Sequence, residues 1–424
     1  MDYCIYDKST CSGKFKDTIE NKFEEVMRVL GKGKTALAIK EVYPDAKLLD
    51  DADKEIFDVN SEELTVVSPG IPPYNYLVKN TKNKISDYDL FLQSSNSNLQ
   101  PFTIWISGTN GKTTTTSMIY RLLKDEGALC GGNIGTPLAQ ISKNLRPSPS
   151  NLQPLILETS SFTLHYTNKV KPNIYILLPI SEDHISWHGS FEEYRDSKLK
   201  PLTMMGQNDM AIVPYKYKDT KSDARVYYYK DTNDLAKQFD IDIQKIKFKE
   251  PFLQDAVLAL ATQKLYNTKL DYDKINSFVQ DPHKLEEFYD KNKYLWVDDS
   301  KATNIDATIN ALKTYKDKNI NLILGGDDKG ADLIPLFEEI KKYKIELYLV
   351  GKNTKKLFDL SRKHNIRSTE CYKIDKAVEE IKNKLSTINS GVSILSPAAS
   401  SLDQFESYAH RGEEFKRFVN LLKN

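Results

Sequence analysis

The feature that most constrains the fold of this 424-residue chain is a regular alternation of short apolar runs with longer amphipathic stretches. The apolar runs, such as FTIWIS and INLILGG, end in Gly, Ser or Asp and have the length of single strands. This alternation is typical of β-α units that assemble into parallel sheets. The sequence therefore predicts an α/β protein.

Two polar segments interrupt the alternation and predict three domains. SSNSNLQP, from Ser94 to Pro101, precedes the strand FTIWIS, and DPHKLEEFYDKN, from Asp281 to Asn292, precedes the strand YLWVDDS. Such segments are typical of linkers, and the chain is longer than one hydrophobic core normally sustains. We expect a first domain at 1–98, of which 1–26 are a possible extension, a second at 99–284 and a third at 285–424.

The composition gives no reason to expect a nucleic-acid or membrane partner. The 60 Lys and Arg residues balance 59 Asp and Glu residues, which leaves a formal net charge of +1 and no global attraction for polyanions. The apolar runs are far shorter than the roughly 20 residues of a membrane span. The four cysteines form no Cys-x-x-Cys pair, and the charged amino terminus lacks the apolar core of a signal peptide. We therefore expect a soluble protein of the reducing cytoplasm.

A glycine-rich turn opens the first predicted domain in MRVLGKGKTALAIK. A short strand, VL, is followed by Gly31, Gly33 and Ala36, whose spacing resembles the dinucleotide fingerprint of Rossmann folds. A second predicted strand, in AKLLDD, ends at Asp50. The sequence leaves two interpretations open, a nucleotide-binding turn or a tight connection with no ligand.

The strongest local signal is SGTNGKTTTT, residues 107–116, between the strand FTIWIS and a predicted helix. Its glycines, Gly108 and Gly111, are separated by two residues, whereas the usual phosphate-binding loop has four. At the amino end of a helix, backbone N–H groups can hold phosphate, while Lys112 adds charge and the Thr113 hydroxyl can reach Mg²⁺. The loop predicts nucleotide binding, and a Ser- and Thr-rich helix cap is the alternative.

Three further side chains are candidates for chemistry. Glu158 and His184 follow strand-like runs, where the ligand sites of parallel sheets form, and both could serve a metal. A helix-capping carboxylate and a structural histidine are the alternatives. Lys198 lies in FEEYRDSKLKPL, which reads as a helix with a buried face, and by pattern alone it would be a solvated charge.

Seven motifs, in chain order, resemble the Mur ligases. They are SGTNGKTTTT, GGNIGTPL, LETSSF, EDH with HGSFEEYRDSKLK, DDSKATN, LILGGDDKGADL and LSPAASSLDQFESYAHRGEEF. The resemblance covers the chain from about Met27 to the carboxyl end. The short glycine spacing is normal in that family, and the last three motifs are specific to its D-glutamate-adding branch.

The resemblance implies a fold and a reaction. The fold is α/β with three domains: a Rossmann-like amino-terminal domain, a central domain with a P-loop ATPase-type parallel sheet, and a Rossmann-like carboxyl-terminal domain. The reaction is an ATP-dependent ligation in cytoplasmic peptidoglycan precursor synthesis. ATP converts the carboxylate of UDP-MurNAc-L-Ala into an acyl phosphate, which the amine of D-glutamate then attacks. Two Mg²⁺ ions, a carbamylated Lys198 and a monomeric enzyme are expected.

The resemblance also assigns residues to these roles. The implied catalytic residues are Lys112, Glu158, His184 and Lys198, and the implied metal-binding residues are Thr113, Glu158, His184 and Lys198. The residues implied to hold ATP are Gly108, Thr109, Asn110, Gly111, Lys112, Thr113, Thr114, Lys284, Asp299 and Lys301. Those implied to hold the UDP substrate or D-glutamate are Thr35, Asp50, Gly70, Asn133, His283, Thr303, Lys329, Ser401, Leu402 and Tyr408.

The chain departs from the family pattern at a few of these positions. Phe252 and Asp255 stand where the family often has asparagines beside the adenine, so the adenine contacts are open. Lys284 replaces the usual hinge arginine, which keeps the charge but loses the planar fork. Tyr408 stands where phenylalanine is common at the glutamate pocket.

Other functions remain as alternatives. Another Mur ligase or a folylpolyglutamate synthase would share the loop and the lysine, but SPAASSLDQF and the lack of a D-[ND]-P-R motif argue against both. A nucleotide hydrolase that ligates nothing and a non-catalytic sugar-nucleotide binding module belong to different classes. The intact set of Lys112, Glu158, His184 and Lys198 argues against the binding module.

Overall fold

The structure is a computed structural model that describes residues 27–93, 101–143, 145, 153–385 and 391–421. The chain divides into two compact units, Met1–Phe278 and Val279–Asn424. The predicted extension at 1–26 and all of the first predicted linker except Pro101 lie outside the described residues. Among the helices in those ranges, none is both long enough and apolar enough to span a bilayer.

The first sheet of the unit Met1–Phe278 has four parallel strands in the order β2-β1-β3-β4. The predicted strand, tight turn and helix are all present. Position 31 requires glycine because its φ is +107° and a Cβ there would lie 2.9 Å from the Ser68 Cβ. Its elements are β1 (Arg28–Leu30), α1 (Lys34–Val42), β2 (Lys47–Leu49), β3 (Thr65–Val67), α2 (Tyr76–Lys79), β4 (Lys84–Ile85) and α3 (Asp87–Leu92).

The second sheet of this unit has six parallel strands in the order β10-β9-β8-β5-β7-β6. Its strands are β5 (Phe102–Ser107), β6 (Leu129–Gly132), β7 (Pro154–Glu158), β8 (Ile174–Leu177), β9 (Met210–Pro214) and β10 (Arg225–Tyr229). Its helices are α4 (Lys112–Leu123), α5 (Leu138–Ser142), α6 (Ser161–Tyr166), α7 (Ile185–His188), α8 (Phe191–Met204), α9 (Thr232–Gln238), α10 (Phe252–Asn267) and α11 (Tyr272–Asn276).

The central strands of this second sheet are apolar without alternation because both of their faces are covered. The runs IWI of β5, LIL of β7 and IYIL of β8 are completely buried, as expected for strands between two layers of helices. Parallel register places Ile106 opposite Glu158 and Ser107 opposite Leu177. The carboxyl ends of β5, β7 and β8 therefore meet at one edge, and the loops that leave that edge lie side by side.

The unit Val279–Asn424 contains one six-stranded sheet in the order β11-β12-β16-β13-β14-β15, in which only the β11–β12 pair is antiparallel. Its strands are β11 (Glu286–Tyr289), β12 (Leu295–Asp298), β13 (Ile320–Leu324), β14 (Ile345–Val350), β15 (Ser368–Tyr372) and β16 (Val392–Leu395). Its helices are α12 (Ile305–Thr314), α13 (Ile334–Ile340), α14 (Thr354–Lys363), α15 (Ile374–Leu385) and α16 (Tyr408–Leu421).

The second predicted linker, Asp281–Asn292, is not purely a linker, because it contains strand β11. This edge strand pairs with β12, with Phe288 opposite Trp296, and packs Phe288 against the core. Its glutamates gave the segment a polar composition, and an edge strand tolerates that composition because one side of it faces solvent. The two compact units meet in sequence between Phe278 and Val279.

Helix α3 joins the first and second sheets into one unit. The Asp89 carboxylate accepts the backbone N–H groups of Asn168 (3.0 Å) and Lys169 (2.7 Å), which follow α6. The Tyr88 hydroxyl reaches the carbonyl oxygen of Glu158 at 3.4 Å. These bonds fix the first sheet beside the strand end that carries Glu158.

A buried carboxyl group in this junction generates a prediction about pH. The side chain of Asp87 is buried, its Oδ1 has no hydrogen-bond partner in the described chain, and burial raises its pKa from 3.8 to about 7. Between those values the folded chain keeps a proton that the unfolded chain has lost, so stability falls as pH rises. We expect Asp87→Asn to be more stable than wild type by on the order of 2 kcal/mol at about pH 8, and little changed at about pH 4, in urea unfolding.

Asp89→Asn is the matched control for this experiment. Its carboxylate holds the backbone N–H groups of Asn168 and Lys169, so this substitution should destabilise the unit at about pH 8 by on the order of 1–3 kcal/mol. An Asp87→Asn protein no more stable than wild type at the higher pH would contradict the account of the buried carboxyl.

Candidate active site

The loop between β5 and α4 is a tight glycine turn at the carboxyl edge of the second sheet. Gly108 and Gly111 have φ values of +142° and +86°, which side chains rarely adopt. A Cβ on Gly108 would lie 2.6 Å from the Leu178 Cβ, and one on Gly111 would lie 2.7 Å from an Asp255 carboxylate oxygen. The close approach of these neighbours explains why both positions are glycine.

The ammonium group of Lys112 lies over this loop. Its Nζ donates to the carbonyl oxygens of Gly108 (3.0 Å) and Thr109 (2.8 Å). Lys112 is also the first residue of α4, and the first N–H groups of any helix have no partner within the helix itself. A positive charge and backbone donors therefore occupy the place where the sequence predicts phosphate.

Glu158 lies next to the loop and contacts two other predicted residues. Its Oε2 accepts the Thr113 hydroxyl at 2.8 Å, and its Oε1 accepts the Asn133 side-chain amide at 2.9 Å. The carboxylate is buried at the end of β7 and does not cap a helix, since Ser160 caps α6. The structure thus brings Thr113, Asn133 and Glu158 together, and the Thr113 hydroxyl and the Glu158 carboxylate place hard oxygen ligands side by side.

Lys198 is buried beside the same loop. Its side chain is 1% exposed, and its Nζ donates to the Gly108 carbonyl at 2.8 Å and lies 4.8 Å above the Tyr194 ring centroid. Burial, with the nearby charge of Lys112, holds the pKa of Lys198 well below its usual value. The interpretation of Lys198 as a solvated charge is wrong, because helix α8 turns this face inward.

His184 stands on the same side of the sheet with a partly exposed ring. It precedes α7 in a left-handed conformation (φ +53°), and about half of its side chain is exposed. Its ring contacts Phe162 edge-on, with the centroids 4.8 Å apart, and its Nε2 lies 3.5 Å from Asp183 Oδ2. An accessible imidazole at this edge suits a ligand, and its role stays a prediction.

Tyr194 links several site residues and was not among the predicted ones. Its hydroxyl lies 2.9 Å from the Thr109 hydroxyl, which in turn bonds to the carbonyl and N–H of Ser181. Its ring lies beneath Lys198 and 6.2 Å from the His184 ring. Its position four residues before Lys198, on one face of a helix, was the only sequence signal available.

The remaining loop residues and the family departures occupy defined places. Asn110 is half-buried and Thr114 is buried. Asp255 lies beneath the loop, where its Oδ1 accepts the Thr115 hydroxyl at 2.8 Å, and Phe252 is buried one turn earlier in α10. The carboxylate that replaces an expected asparagine is therefore bonded to the phosphate-loop helix.

The predicted UDP residues lie at the carboxyl edge of the first sheet. Thr35 is in the first turn of α1, Asp50 directly follows β2 and pairs with Lys32 at 3.1 Å, and Gly70 is exposed after β3. Lys34, beside Thr35, donates to the Gly135 carbonyl at 2.7 Å. That bond brings this edge next to the segment that contains Asn133.

In the unit Val279–Asn424, Asp299 follows β12 and is buried. It accepts the Ser396 hydroxyl (2.7 Å) and the Leu285 N–H (3.2 Å). Burial raises the pKa of Asp299 to about 7, against the opposing effects of these hydrogen bonds and the charge of Lys284. Lys301, two residues later, has its Nζ 3.5 Å from Asp281 Oδ2.

Arg411 joins two loops at this edge, and the sequence gave no sign of its importance. The side chain is 2% exposed and donates to the Ser300 hydroxyl (2.9 Å), the Ser300 carbonyl (2.8 Å) and the Ala399 carbonyl (3.1 Å). Burial lowers the pKa of Arg411 to about 10, so it remains charged at neutral pH. It fixes the loop after β12 to the loop after β16.

The predicted D-glutamate residues lie on loops that these contacts bring together. Backbone hydrogen bonds of 3.0 and 2.9 Å pair Asp327 with Ser400, which places the loop of Lys329 beside that of Ser401. Ser401 is buried, whereas the other predicted residues are exposed and thus accessible to a ligand: Thr303, Lys329, Leu402 and Tyr408.

His283 is buried in a hydrogen-bonded cluster with carboxylate groups. Its Nδ1 lies 2.6 Å from Asp298 Oδ2, and its backbone N–H donates to Glu286 at 2.9 Å. Within the described ranges, one group of side chains could place its metal-ligand atoms within 4.8 Å of one another. It consists of His283, Glu286 and Asp298. Glu286 also pairs with Lys416 at 3.3 Å, which places a positive charge beside the cluster.

The tight glycine loop on a parallel sheet, with Lys112 above it and an oxygen cluster beside it, defines an α/β protein with a phosphate-loop site. Residues 106–263 match the family model of the Mur ligase middle domain. The chain is 50% identical over 364 residues to the UDP-N-acetylmuramoylalanine–D-glutamate ligase of Campylobacter jejuni strain RM1221, which covers 86% of this chain and 87% of that protein. It is 44% identical over 423 residues to the ligase of the same name from Helicobacter pylori strain J99, covering 92% and 98%.

Solved structures of Mur ligases share the fold. MurF from Acinetobacter baumannii superposes with a TM-score of 0.57 at 14% identity, covering 91% of this chain and 98% of that one. MurF ligase from Thermotoga maritima in complex with ADP has a TM-score of 0.54 at 14% identity, covering 94% and 95%. The chain belongs to the Mur ligase family, and the resemblance that the seven motifs indicated is confirmed.

The packing of helix α16 generates a prediction. A Cβ on Gly412 would lie 2.2 Å from His283 Nδ1 and 2.7 Å from Asp298 Oδ2, closer than real Cβ contacts. Alanine raises helix propensity by about 1 kcal/mol, yet overpacking usually costs 1–3 kcal/mol, roughly, so the clash should dominate. We expect Gly412→Ala to lower the melting temperature of the unit Val279–Asn424 in calorimetry.

Asn420→Ala, on the exposed face of the same helix, is the control and should be neutral or slightly stabilising. If Gly412→Ala instead raised the melting temperature, helix propensity would outweigh the contact with the His283–Asp298 pair.

Proposed function

We propose that the chain joins D-glutamate to UDP-MurNAc-L-Ala while cleaving ATP to ADP and phosphate, as a monomeric enzyme of cytoplasmic peptidoglycan precursor synthesis. The observation that carries the proposal is the Lys112 ammonium held over the glycine loop, with the buried Lys198 amine on the same Gly108 carbonyl and the Thr113–Glu158 pair beside them. Anionic substrates need positive charge such as that of Lys112 if a phosphoryl group is to pass between them. The identity of 50% to a D-glutamate ligase supplies the substrate class.

In this proposal each of the three domains binds a different substrate. Residues 1–98 hold the UDP moiety through Thr35, Asp50 and Gly70, and residues 99–284 hold ATP at the glycine loop. Residues 285–424 hold D-glutamate, with Asp299 and Lys301 acting on the nucleotide. The bond from Lys34 to Gly135 supports one continuous site for the long UDP substrate within the first two of these domains.

The first chemical step is attack of the substrate carboxylate on the γ-phosphate of ATP. ADP departs and an acyl phosphate forms, so that the carboxylate becomes a good electrophile. Lys112 neutralises charge on the transferring phosphoryl group, because its Nζ is already held over the loop. Asn133 and His184 lie near the reacting carboxylate.

The second step is attack of the D-glutamate amine on the acyl carbon. A tetrahedral intermediate forms, phosphate leaves with the bonding electron pair, and the amine loses a proton to give the amide. Lys329 and Ser401 hold D-glutamate, with the exposed Lys329 ammonium pairing with one of its carboxylates.

The residues beside the loop fit Mg²⁺, which prefers hard oxygen ligands. The Thr113 hydroxyl and the Glu158 carboxylate are 2.8 Å apart and would hold one ion; His184 and a carbamylated Lys198 would hold a second. Bound Mg²⁺ would supply charge neutralisation between the phosphates and the carboxylate.

Carbamylation of Lys198 is supported by its surroundings. Addition to CO₂ needs an uncharged amine, and both burial and the charge of Lys112 lower the pKa of Lys198. The carbamate replaces a cation by an anion with two oxygens, which makes a ligand from a residue that would otherwise repel a metal.

A coupled assay tests the reaction. We expect phosphate release with ATP, Mg²⁺ and UDP-MurNAc-L-Ala to require D-glutamate, and not L-glutamate, L-lysine, diaminopimelate or glycine. Lys329→Ala should raise the KM for D-glutamate by about 10-fold or more, because a carboxylate partner is lost. Lys318→Ala, an exposed lysine after α12, is the control. Equal release without D-glutamate would indicate a hydrolase, and turnover with another amino acid would indicate a different ligase.

Substitution of Lys198 tests the carbamate separately. We expect Lys198→Ala to fold but to lose on the order of 10³-fold or more in ligation rate, with partial recovery in formate or acetate, which can occupy the carbamate's place. Lys198→Arg should be inactive and not rescued, since arginine keeps the charge and does not form the adduct. A fully active Lys198→Arg enzyme would exclude the carbamate.

A further inference from the structure

Helix α7 presents His184 but cannot hold itself in place. It spans only Ile185–His188, a single turn, and helices this short are not stable alone. His184 precedes it in a left-handed conformation that is unfavourable for a side chain. Contacts elsewhere must therefore fix the turn.

The other end of this turn carries a buried hydrogen bond. His188, the last residue of α7, is 6% exposed, and its Nε2 lies 3.0 Å from the Ser161 hydroxyl oxygen. Ser161 is itself 3% exposed and is the first residue of α6, three positions after Glu158. The bond joins the turn that presents His184 to the strand end that presents Glu158.

The protonation of the imidazole follows from its second nitrogen. Nδ1 of His188 is buried and has no hydrogen-bond partner in the described residues. A buried N–H without a partner is rarer than a buried acceptor without one, so the proton belongs on Nε2. His188 therefore donates Nε2–H to the Ser161 oxygen.

Two aromatic rings contact both His188 and His184, so the position of one histidine affects that of the other. Both histidine rings contact Phe162, with centroid separations of 5.6 Å for His188 and 4.8 Å for His184. Both also lie near Tyr194, at 5.4 and 6.2 Å. Loss of the bond to Ser161 would free the His188 ring to move. The Phe162 ring, which contacts both histidines, would then no longer be held against His184.

We propose that His188 is a positioning residue, whose hydrogen bond to Ser161 fixes the His184 imidazole relative to Glu158. The catalytic consequence rests on the proposed function, in which His184 lies near the reacting carboxylate and would hold a metal ion. Displacements of about 1 Å in such a group lower rates by as much as 100-fold.

Three substitutions separate the hydrogen bond from packing. His188→Gln keeps an N–H donor at similar reach, His188→Leu keeps an apolar side chain of similar size, and Ser161→Ala removes the acceptor. We expect His188→Leu and Ser161→Ala each to lower kcat by about 10- to 100-fold with the KM for ATP within about twofold, and His188→Gln to stay within about threefold of wild type. The double variant should be no worse than the worse single variant, because one bond is lost only once.

A structural readout keeps the inference independent of the reaction. In protein labelled at histidine and phenylalanine, NMR cross-peaks between the His184 and Phe162 rings should be present in wild type and His188→Gln and weakened in the other two variants. Should His188→Leu fail to fold, Ser161→Ala carries the test. Wild-type kcat and unchanged cross-peaks in Ser161→Ala would overturn the proposal. A lower melting temperature in that variant, with kcat and ATP affinity reduced by similar factors, would also overturn it, because it would indicate a general loss of structure. An inactive wild type would refute the proposed function, and the cross-peaks would still decide where His188 acts.

Discussion

The site depends on one carbonyl oxygen, that of Gly108, which accepts hydrogen bonds from both Lys112 and Lys198. Burial and the charge of Lys112 both disfavour a second positive charge there, and they hold the pKa of Lys198 well below its usual value. The positive φ of Gly108 and its contact with Leu178 fix that carbonyl, and the parallel register of β5 and β8 fixes Leu178. The fold therefore holds one cation, Lys112, and one buried amine, Lys198, at the same carbonyl oxygen.

The parts of the site that the sequence predicts are those encoded locally. Gly108 and Gly111 predict a turn. Glu158 ends an apolar run, so the geometry of a parallel sheet is enough to place it near the loop. The pairing of Asp255 with Thr115, 140 residues apart, has no local signal and follows only from the packing of α10 against α4. The same applies to Arg411, because nothing in a helical pattern distinguishes a buried arginine from an exposed one.

Other features could not be predicted from local patterns, for physical reasons. The burial of Lys198 could not be read from helical spacing, because the pattern gives a face but not what covers it. Strand β11 lies in a segment that we predicted to be a linker. An edge strand with one solvent-exposed side has a polar sequence, which resembles that of a linker. The first and second sheets belong to one compact unit, in which the Asp89 carboxylate of α3 bonds to backbone N–H groups after α6, a contact between segments about 80 residues apart.

The way Arg411 is bonded has a consequence for the loop that it holds. Its partners are carbonyl and hydroxyl oxygens, none of which changes charge near neutral pH, and the guanidinium itself keeps its proton. One residue from Ser300, Asp299 has a pKa of about 7. The loop after β12 therefore combines a frame that does not titrate with a carboxylate that does. Acidification can alter the charge this loop offers to a ligand while its backbone geometry remains the same.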